Sequence, residues 1–242
     1  MKGWKDKRYK PVYDKLHHSK LRFNKKIRKN LILSSLFIAM AVVLFLPKEG
    51  ISAIDVSHHN KDVKAKVEMF QPRIIIAKAS EGTNFKDPKF NEHFRISNEN
   101  RIWFGAYHFF SFDKDVKQQF QNYLECVKLN AGGCPRYKID VKPILDVEDN
   151  PGKRNLGYRE MRRKVREFGK LCFEEFGCYP IIYCSEAYKW IYFLFGFDDY
   201  VFWIRNTVTN PLLPCAIHQY KEDKNHNLDF NRVNDLSKIM RF

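Results

Sequence analysis

The sequence predicts an α/β fold, an irregular β/α barrel of eight strands that is preceded by one transmembrane helix. Two patterns lead to this prediction. From residue 51 to the C-terminus, short apolar segments alternate with longer periodic segments, as expected of a parallel sheet whose strands are joined by helices. Before them lies one uncharged apolar run. A length of 242 residues, 44% of them apolar, also excludes a wholly disordered chain.

The positive charge is concentrated at the N-terminus. Of the 43 Lys and Arg residues, 12 lie in residues 1–30, where two acidic residues accompany them. The excess over residues 31–242 is small and scattered, whereas a nucleic-acid-binding domain presents a basic patch to the phosphates. We therefore expect no nucleic-acid partner.

The apolar run, residues 31–46, is stopped by Pro47. As a helix it would be about 24 Å long, slightly short of a hydrocarbon core of about 30 Å. Its length also fits a signal-peptide core, but the basic segment before it is too long for an ordinary n-region and no convincing small-x-small cleavage site follows. A buried core helix is a third interpretation, and the absence of a polar face disfavours it.

We therefore predict an uncleaved signal anchor with the basic side in the cytoplasm. The predicted organisation is a basic cytoplasmic tail (1–30), a transmembrane signal-anchor helix (31–46), a short linker (47–50) and a barrel domain (51–242).

All six cysteines follow the apolar run, in the part expected outside the cytoplasm, where disulfides are permitted. Their spacing does not reveal the pairing. Cys126 and Cys134, on either side of a glycine-containing turn, are one guess, and buried free thiols are the other interpretation. Without a C-x-x-C pair, a zinc knuckle is not expected.

The eight candidate strands cover residues 51–56, 73–79, 102–110, 141–147, 179–184, 200–204, 215–220 and 228–230. The clearest helices are 113–129, which opens with an acidic cap, and 158–176, which ends at Gly177. Shorter helices are predicted at 62–70, 88–98 and 186–193. The connections between the last three strands are short and contain prolines, so helices should be missing there. The result is an irregular TIM-like barrel, whose chemistry is expected at the C-terminal ends of its strands.

Acidic residues mark several of these strand ends. Asp146 and Glu148 end the fourth strand and face the same way, because side chains alternate along a strand. Neighbouring like charges raise one pKa, so one carboxyl can act as a general acid while the other stays ionised, as glycosidic cleavage requires. Asp55 ends the first strand and Asp229 lies on the last, so all four could meet in one pocket.

Two other kinds of site are weaker alternatives. His58 and His59 suggest a metal, but adjacent residues on an extended segment point apart and no third histidine has matching spacing. A Ser-His-Asp triad could use Ser57 or Ser185, but neither lies in a G-x-S-x-G turn. We expect no metal.

The chain resembles the glycoside hydrolase family 25 lysozymes, also called Chalaropsis-type muramidases. The resemblance spans about residues 51–231 and rests on the order and spacing of several segments, namely IDVSHHN (54–60), IIIAKASEGTNF (74–85), GAYHFFSF (105–112), PILDVED (143–149), PIIYCS (180–185), FWIR (202–205), HQY (218–220) and LDFN (228–231).

The resemblance implies an irregular β/α barrel that cleaves the β-1,4 bond between N-acetylmuramic acid and N-acetylglucosamine in peptidoglycan. It implies that Glu148 is the general acid and that Asp146 orients the substrate or stabilises positive charge at the sugar. Asp55 and Asp229 complete the acidic cluster, and no cofactor is implied. A covalent or a substrate-assisted route fits these residues, and we favour the latter, with net retention.

The chain holds 21 Phe, 12 Tyr and 4 Trp, more rings than a core requires. We therefore expect some to stack on sugars, although rings on barrel strands are often core residues. The candidate substrate-binding residues are Tyr107, Phe109, Tyr183, Trp203, Gln219, Tyr220 and Glu81. Lys78 could neutralise an acid of the pocket. Compared with the family pattern, the segment after Trp203 lacks an aromatic residue and His218 replaces a tryptophan, which puts individual sugar subsites in doubt.

Together these observations predict a monomeric, membrane-anchored muramidase that acts on peptidoglycan strands. It would sit in a bacterial cell membrane with a single pass, its N-terminus cytoplasmic and its catalytic domain periplasmic or extracellular. Two rival functions stay open. One is a catalytically weak or inactive membrane-anchored glycan-binding tether, and the other is an adaptor whose basic tail recruits a cytoplasmic or anionic-lipid partner.

Overall fold

The structure is a computed structural model that describes residues 25, 27–38, 49–129, 136–149 and 156–241. In the N-terminal unit, Met1–Leu46, helix α1 covers residues 27–38 and its side chains are exposed. Within the described part of the chain, no helix is both long and apolar enough to cross a membrane. Residues 39–46, the second half of the predicted anchor, lie outside the described residues, so the anchor stays a prediction.

The second unit, Pro47–Phe242, is built from alternating strands and helices. Its main helices are α2 (Val63–Phe70), α3 (Phe90–Glu99), α4 (Val116–Val127) and α5 (Tyr158–Phe176). The short helix α6 (Glu186–Tyr188) continues into a π-helical turn, Lys189–Phe193, and α7 (Leu236–Ile239) lies near the C-terminus. Its strands are β1 (Ile51–Val56), β2 (Ile74–Glu81), β3 (Phe85–Lys86), β4 (Trp103–Phe109), β5 (Lys128–Leu129), β6 (Arg136–Tyr137), β7 (Ile144–Asp146), β8 (Ile181–Ser185), β9 (Val201–Arg205), β10 (Ile217–Asp223) and β11 (Leu228–Val233).

Eight of these strands close into a barrel in the order β1-β2-β4-β7-β8-β9-β10-β11, with β11 pairing back to β1. The two-residue strand β3 extends the edge of β2, and β5 pairs with β6 in a separate small sheet. The predicted eight-stranded α/β barrel is confirmed. The predicted lack of late helices is confirmed as well, since no helix lies between β9 and β11 in the fully described segment 206–227.

The direction of the last strand differs from the prediction of a parallel sheet. Seven strands run parallel, whereas β11 is antiparallel to both of its neighbours, β10 and β1. The cause is the short connection between Asp223 and Leu228, because strands joined by so few residues form a hairpin and a parallel pair needs a long crossover. Strand β10 also runs three residues further than predicted.

One helix ends and another begins with the residue types that the sequence predicted, although the second cap lies two residues later than expected. Gly177 ends α5 with φ of 72°, the left-handed conformation that glycine adopts without strain. The acidic cap of α4 is Asp115 rather than Asp113, and its carboxylate accepts a hydrogen bond from the backbone N–H of Gln118 at 2.9 Å.

The barrel strands are buried on both faces, which explains their near-continuous apolar sequences. Alternate residues such as Ile74 and Ile76 fill the lower barrel interior, while Ile75 packs outward in the layer shared with the helices. At the upper end of the same interior rows, Lys78 and Asp146 take the place of the isoleucines. The interior is therefore apolar below and polar at the C-terminal ends of the strands.

The cysteines in the described segments include several buried free thiols. The Cys126 thiol donates to the carbonyl of Ala79 at 3.4 Å, and Cys172 and Cys184 are buried free thiols as well. The guessed pairing of Cys126 with Cys134 is therefore wrong, because Cys126 lies on the inner side of α4, against strand β2, and its sulfur contacts that strand.

Candidate active site

The four predicted acidic residues meet at the C-terminal end of the barrel. Asp55 lies near the end of β1, Asp146 ends β7, and Glu148 follows two residues later. Asp229 lies at the start of β11, and because that strand is antiparallel its start is at the same end as the other strands' C-termini. In the β1–β11 ladder Asp229 is directly opposite Asp55. They line one pocket of about 200 Å³ with Ser57, His59, Lys78, Tyr107, Phe109, Tyr183 and Trp203.

Asp55 is held by a chain of hydrogen bonds. The side-chain amide of Asn231 donates to Asp55 Oδ2 at 2.6 Å, and the indole N–H of Trp203 donates to Asn231 Oδ1 at 2.8 Å. Burial raises the pKa of Asp55 well above its usual range, and the charge of Asp229 adds to this effect, while the hydrogen bond from Asn231 opposes it. Sequence reasoning missed Asn231, although its position two residues after Asp229 puts it on the same strand face.

Asp146 lies two residues before Glu148, and its side chain is buried. Its Oδ1 has no hydrogen-bond partner among the described residues. Burial raises its pKa well above the usual range and the nearby Glu148 raises it further, whereas the ammonium of Lys78 lowers it. Lys78 therefore favours the ionised form of Asp146.

Glu81 has a different position from the one predicted. Its carboxylate pairs with Lys78 Nζ at 2.6 Å, and 42% of its side chain is exposed. It contacts the pocket through Lys78 and is not among the residues that line the cavity. The reason is that Glu81 is the last residue of β2, three positions beyond Lys78, and so lies above the pocket wall.

Glu148 also has a raised pKa. Burial raises it, and the guanidinium of Arg205 opposes the shift. Arg205 is in turn paired with Glu222 at 2.5 Å. The pKa of Asp229 is raised to about 6 by burial and by Glu222. With several carboxyls raised together, the pocket retains protons at pH values at which an exposed Asp or Glu would be ionised.

Four of the predicted aromatic residues, Tyr107, Phe109, Tyr183 and Trp203, line the pocket. Trp203 is 2% exposed and its N–H is bonded to Asn231, so it is mainly a wall residue. The rings of Tyr183 and Trp203 meet edge to face, with centroids 4.5 Å apart.

Gln219 and Tyr220 are not in the lining of this pocket. Gln219 is buried behind Tyr183 and accepts a hydrogen bond from its hydroxyl at 2.6 Å. Tyr220 points outward because it alternates with Gln219 along β10, and its ring lies 5.3 Å from the guanidinium of Arg232. The outward direction separates Tyr220 from the acidic pocket.

The two adjacent histidines do not point apart as predicted, because they lie in a turn and their ring centroids are 3.8 Å apart. His59 lines the pocket, whereas the Nδ1 atom of His58 lies 2.8 Å from a carboxylate oxygen of the buried Asp87. Among the residues that the structure describes, no group of three or more His, Cys, Asp or Glu side chains is arranged to hold a metal ion.

The sequence profile of the glycosyl hydrolases family 25 matches residues 54–227. This segment begins one residue before Asp55, the first acidic residue of the pocket, and includes most of the barrel strands. The chain belongs to glycosyl hydrolase family 25.

Curated proteins related to this family 25 chain match over about half of its length. YegX of Escherichia coli, an uncharacterised protein, is 32% identical over 127 residues, which is 52% of this chain and 43% of YegX. An N,O-diacetylmuramidase of Arthroderma benhamiae is 30% identical over 116 residues, 47% of this chain and 48% of that protein. The chain thus covers less than half the length of these relatives.

Solved structures of other proteins share the fold. A family 25 glycosyl hydrolase from Bacillus anthracis has a TM-score of 0.67 at 21% identity, with 79% of this chain and 93% of that chain covered. A lysozyme from Streptomyces coelicolor has a TM-score of 0.65 at 23% identity, with 78% and 94% covered. The structural similarity extends over nearly the whole of both solved chains.

The raised pKa of Asp146 predicts that this family 25 barrel loses stability as the pH rises. A carboxyl whose folded pKa is raised binds its proton more tightly in the folded state, so its contribution is full below the unfolded value, 3.8, and is lost at higher pH. We expect Asp146→Asn to remove this loss. The variant should match the wild type near pH 4 and exceed its unfolding free energy by at least about 1 kcal/mol at pH 7.

Thermal unfolding between pH 4 and pH 8 measures this difference, and a gain of about 1 kcal/mol corresponds to about 2–4 °C in Tm for a domain of this size. Asp113→Asn, at an exposed site paired with Lys114, is the matched control and should show no gain that grows with pH. A stability difference between Asp146→Asn and wild type that stays constant over this range would contradict the raised pKa.

Proposed function

We propose that the chain is a muramidase that hydrolyses the β-1,4 bond between N-acetylmuramic acid and N-acetylglucosamine in peptidoglycan. The observation that carries this proposal is the meeting of four carboxyls in one pocket at the C-terminal end of the barrel. Membership of family 25 and the similarity to a protein named N,O-diacetylmuramidase support it.

In this mechanism Glu148 is the general acid. Its pKa is raised by burial, so it keeps its proton more readily than an exposed Glu and can deliver it to the glycosidic oxygen as the bond to the leaving sugar breaks. The guanidinium of Arg205 limits the shift, which keeps the proton transferable. After departure of the leaving sugar, the Glu148 carboxylate accepts a proton from the attacking water.

Asp146 supports the sugar that becomes positively charged. Its side chain lines the pocket, where the carboxylate can accept a hydrogen bond from the substrate's 2-acetamido N–H, and Lys78 favours the ionised form of this carboxylate. This arrangement suits a substrate-assisted route, in which the acetamido oxygen attacks the sugar carbon and the configuration is retained overall. Asp55 and Asp229, held next to each other across β1 and β11, complete the acidic lining of the pocket.

Replacing Glu148 tests this proposal directly. Glu148→Gln nearly preserves the shape of the side chain and removes its proton donor, so we expect turnover to fall by about 10²–10⁴-fold while glycan binding is kept. The measurement is digestion of purified peptidoglycan by the full chain, with identification of the sugar at each new reducing end. Glu174→Gln, at an exposed position of α5, is the control.

New muramic acid ends that appear with the wild type and the control, and disappear with Glu148→Gln, are the expected result. A folded wild-type protein that binds glycan and produces no new ends from several wall types would contradict the enzyme and favour a glycan tether.

We also propose that residues 31–46 anchor the protein in a bacterial cell membrane as a single pass, with residues 1–30 cytoplasmic and a monomeric barrel on the periplasmic or extracellular side. The uncharged run after a strongly basic segment supports this orientation.

Fractionation of cells that produce the full chain tests the anchor. We expect the protein in the membrane fraction with its barrel accessible to external protease, and we expect a variant that lacks residues 31–46 to leave that fraction. A soluble mature protein that begins near residue 50 would contradict the anchor and indicate a cleaved signal peptide.

A further inference from the structure

Three tyrosines outside the catalytic pocket form a continuous row of rings on its rim. We call Tyr188, Tyr192 and Tyr158 the tyrosine strip. The rings of Tyr188 and Tyr192 are 5.0 Å apart, and those of Tyr192 and Tyr158 are stacked at 5.7 Å with an angle of 27° between their planes. None of these residues lines the pocket that holds the four acids.

Local backbone geometry explains why the row forms. Ser185, at the end of β8, caps α6 by accepting a hydrogen bond from the N–H of Tyr188 at 3.2 Å. The chain then continues as a π-helical turn, a feature that is frequent at functional sites. Four-residue spacing brings Tyr192 next to Tyr188 on the same side, and Tyr158, the first residue of α5, lies against Tyr192.

The strip begins at the active site. The Tyr188 hydroxyl donates to Asp149 Oδ1 at 3.1 Å, and Asp149 is the residue that follows Glu148 in the chain. Both α6 and the N-terminus of α5 lie at the C-terminal end of the barrel strands, where the pocket opens. The row of rings therefore runs from the residue after the proposed general acid toward the surface, where the half-buried Tyr188 and Tyr192 pack on the core and Tyr158 is exposed.

Arg162 fixes the outer part of the strip. Its guanidinium lies 5.1 Å from the centre of the Tyr158 ring and donates to the Tyr158 hydroxyl at 2.9 Å. The same side chain donates to the backbone carbonyls of Tyr192 and Phe195. A ring that is held in place before the ligand arrives loses little side-chain freedom on binding. Tyr158 is nevertheless 47% exposed, so part of its ring is open to a ligand.

We propose that the tyrosine strip binds the distal part of a glycan strand, beyond the sugars that occupy the catalytic pocket. The inference rests on the proposed muramidase function for the identity of the polymer. Sugar rings present C–H faces that pack on aromatic rings, and phenol hydroxyls bond to sugar hydroxyl and acetamido groups. A polymer that enters the pocket must continue past its rim, and a row of fixed rings that starts at Asp149 offers it a track.

The test compares the affinities for long glycan strands and for the disaccharide of N-acetylglucosamine and N-acetylmuramic acid, which is too short to reach from the pocket to Tyr158. All proteins carry Glu148→Gln in the full chain, so that binding is measured without turnover. Adding Tyr158→Ala should weaken the binding of long strands by about 3- to 10-fold and leave the disaccharide affinity unchanged. Tyr158→Phe should keep most of the affinity, because it keeps the ring.

Phe173→Ala is the matched control. Phe173 lies on the same helix, is 50% exposed, and packs on Tyr179 near the other end of the helix. We expect it to leave both affinities unchanged. Unchanged affinity for long strands in Tyr158→Ala, or an equal loss for both ligands, would overturn the strip.

The two proposals fail separately. Suppose that the wild-type protein, with Glu148 intact, produces no new reducing ends, while Tyr158→Ala still selectively weakens the binding of long strands. The muramidase proposal is then contradicted and the proposal for the tyrosine strip is supported. If the wild-type protein cleaves peptidoglycan and Tyr158→Ala does not weaken strand binding, the strip is contradicted and the muramidase stands.

Discussion

The reversed last strand is the constraint on which the site depends. β11 closes the barrel between β10 and β1 and is antiparallel to both. A parallel strand in this place would carry Asp229 to the apolar lower end of the interior. The reversal instead puts Asp229 opposite Asp55 and aligns Asn231 for its hydrogen bond to the Asp55 carboxylate. The short hairpin thus completes both the barrel and the acidic cluster.

Gathering carboxyls in a closed interior has an energetic consequence. Burial disfavours each charged form, and like charges oppose one another, so the pKa values of the cluster are raised together. Lys78 and Arg205 lie at the edges of the cluster and favour ionisation of Asp146 and Glu148, respectively. The ability to donate a proton and the reduced stability at neutral pH therefore have the same physical origin. Catalytic sites often show such a trade-off between activity and stability.

The sequence alone was sufficient for the eight barrel strands and the late loss of helices, because buried strands leave local patterns. Strand-end carboxylates indicated only that the four acids could meet, and the closed barrel brings them into one pocket. The direction of β11 was missed since residues 221–223 are polar and were not counted as strand, which hid the hairpin. Glu81 and Tyr220 were expected to bind substrate but do not line the pocket. Which side chains line it depends on the register between neighbouring strands, and that register is defined only in the closed barrel.

The tyrosine strip was beyond sequence reasoning for a similar reason. Tyr158 and Tyr192 are far apart in the chain, and their contact depends on α5 and the π-helical turn meeting above the barrel. Arg162 shows the same limit, because a basic residue on a charged helix gives no sign that it will bind backbone carbonyls of another segment.

Barrel closure makes the pocket retain protons, and a carboxyl-detected NMR titration of Asp and Glu side chains measures this retention residue by residue. We expect Asp229 to titrate with a pKa of about 6 and Asp55 and Asp146 to titrate well above the ordinary value of 3.8. Titration of all three near that ordinary value in the folded protein would contradict this retention of protons.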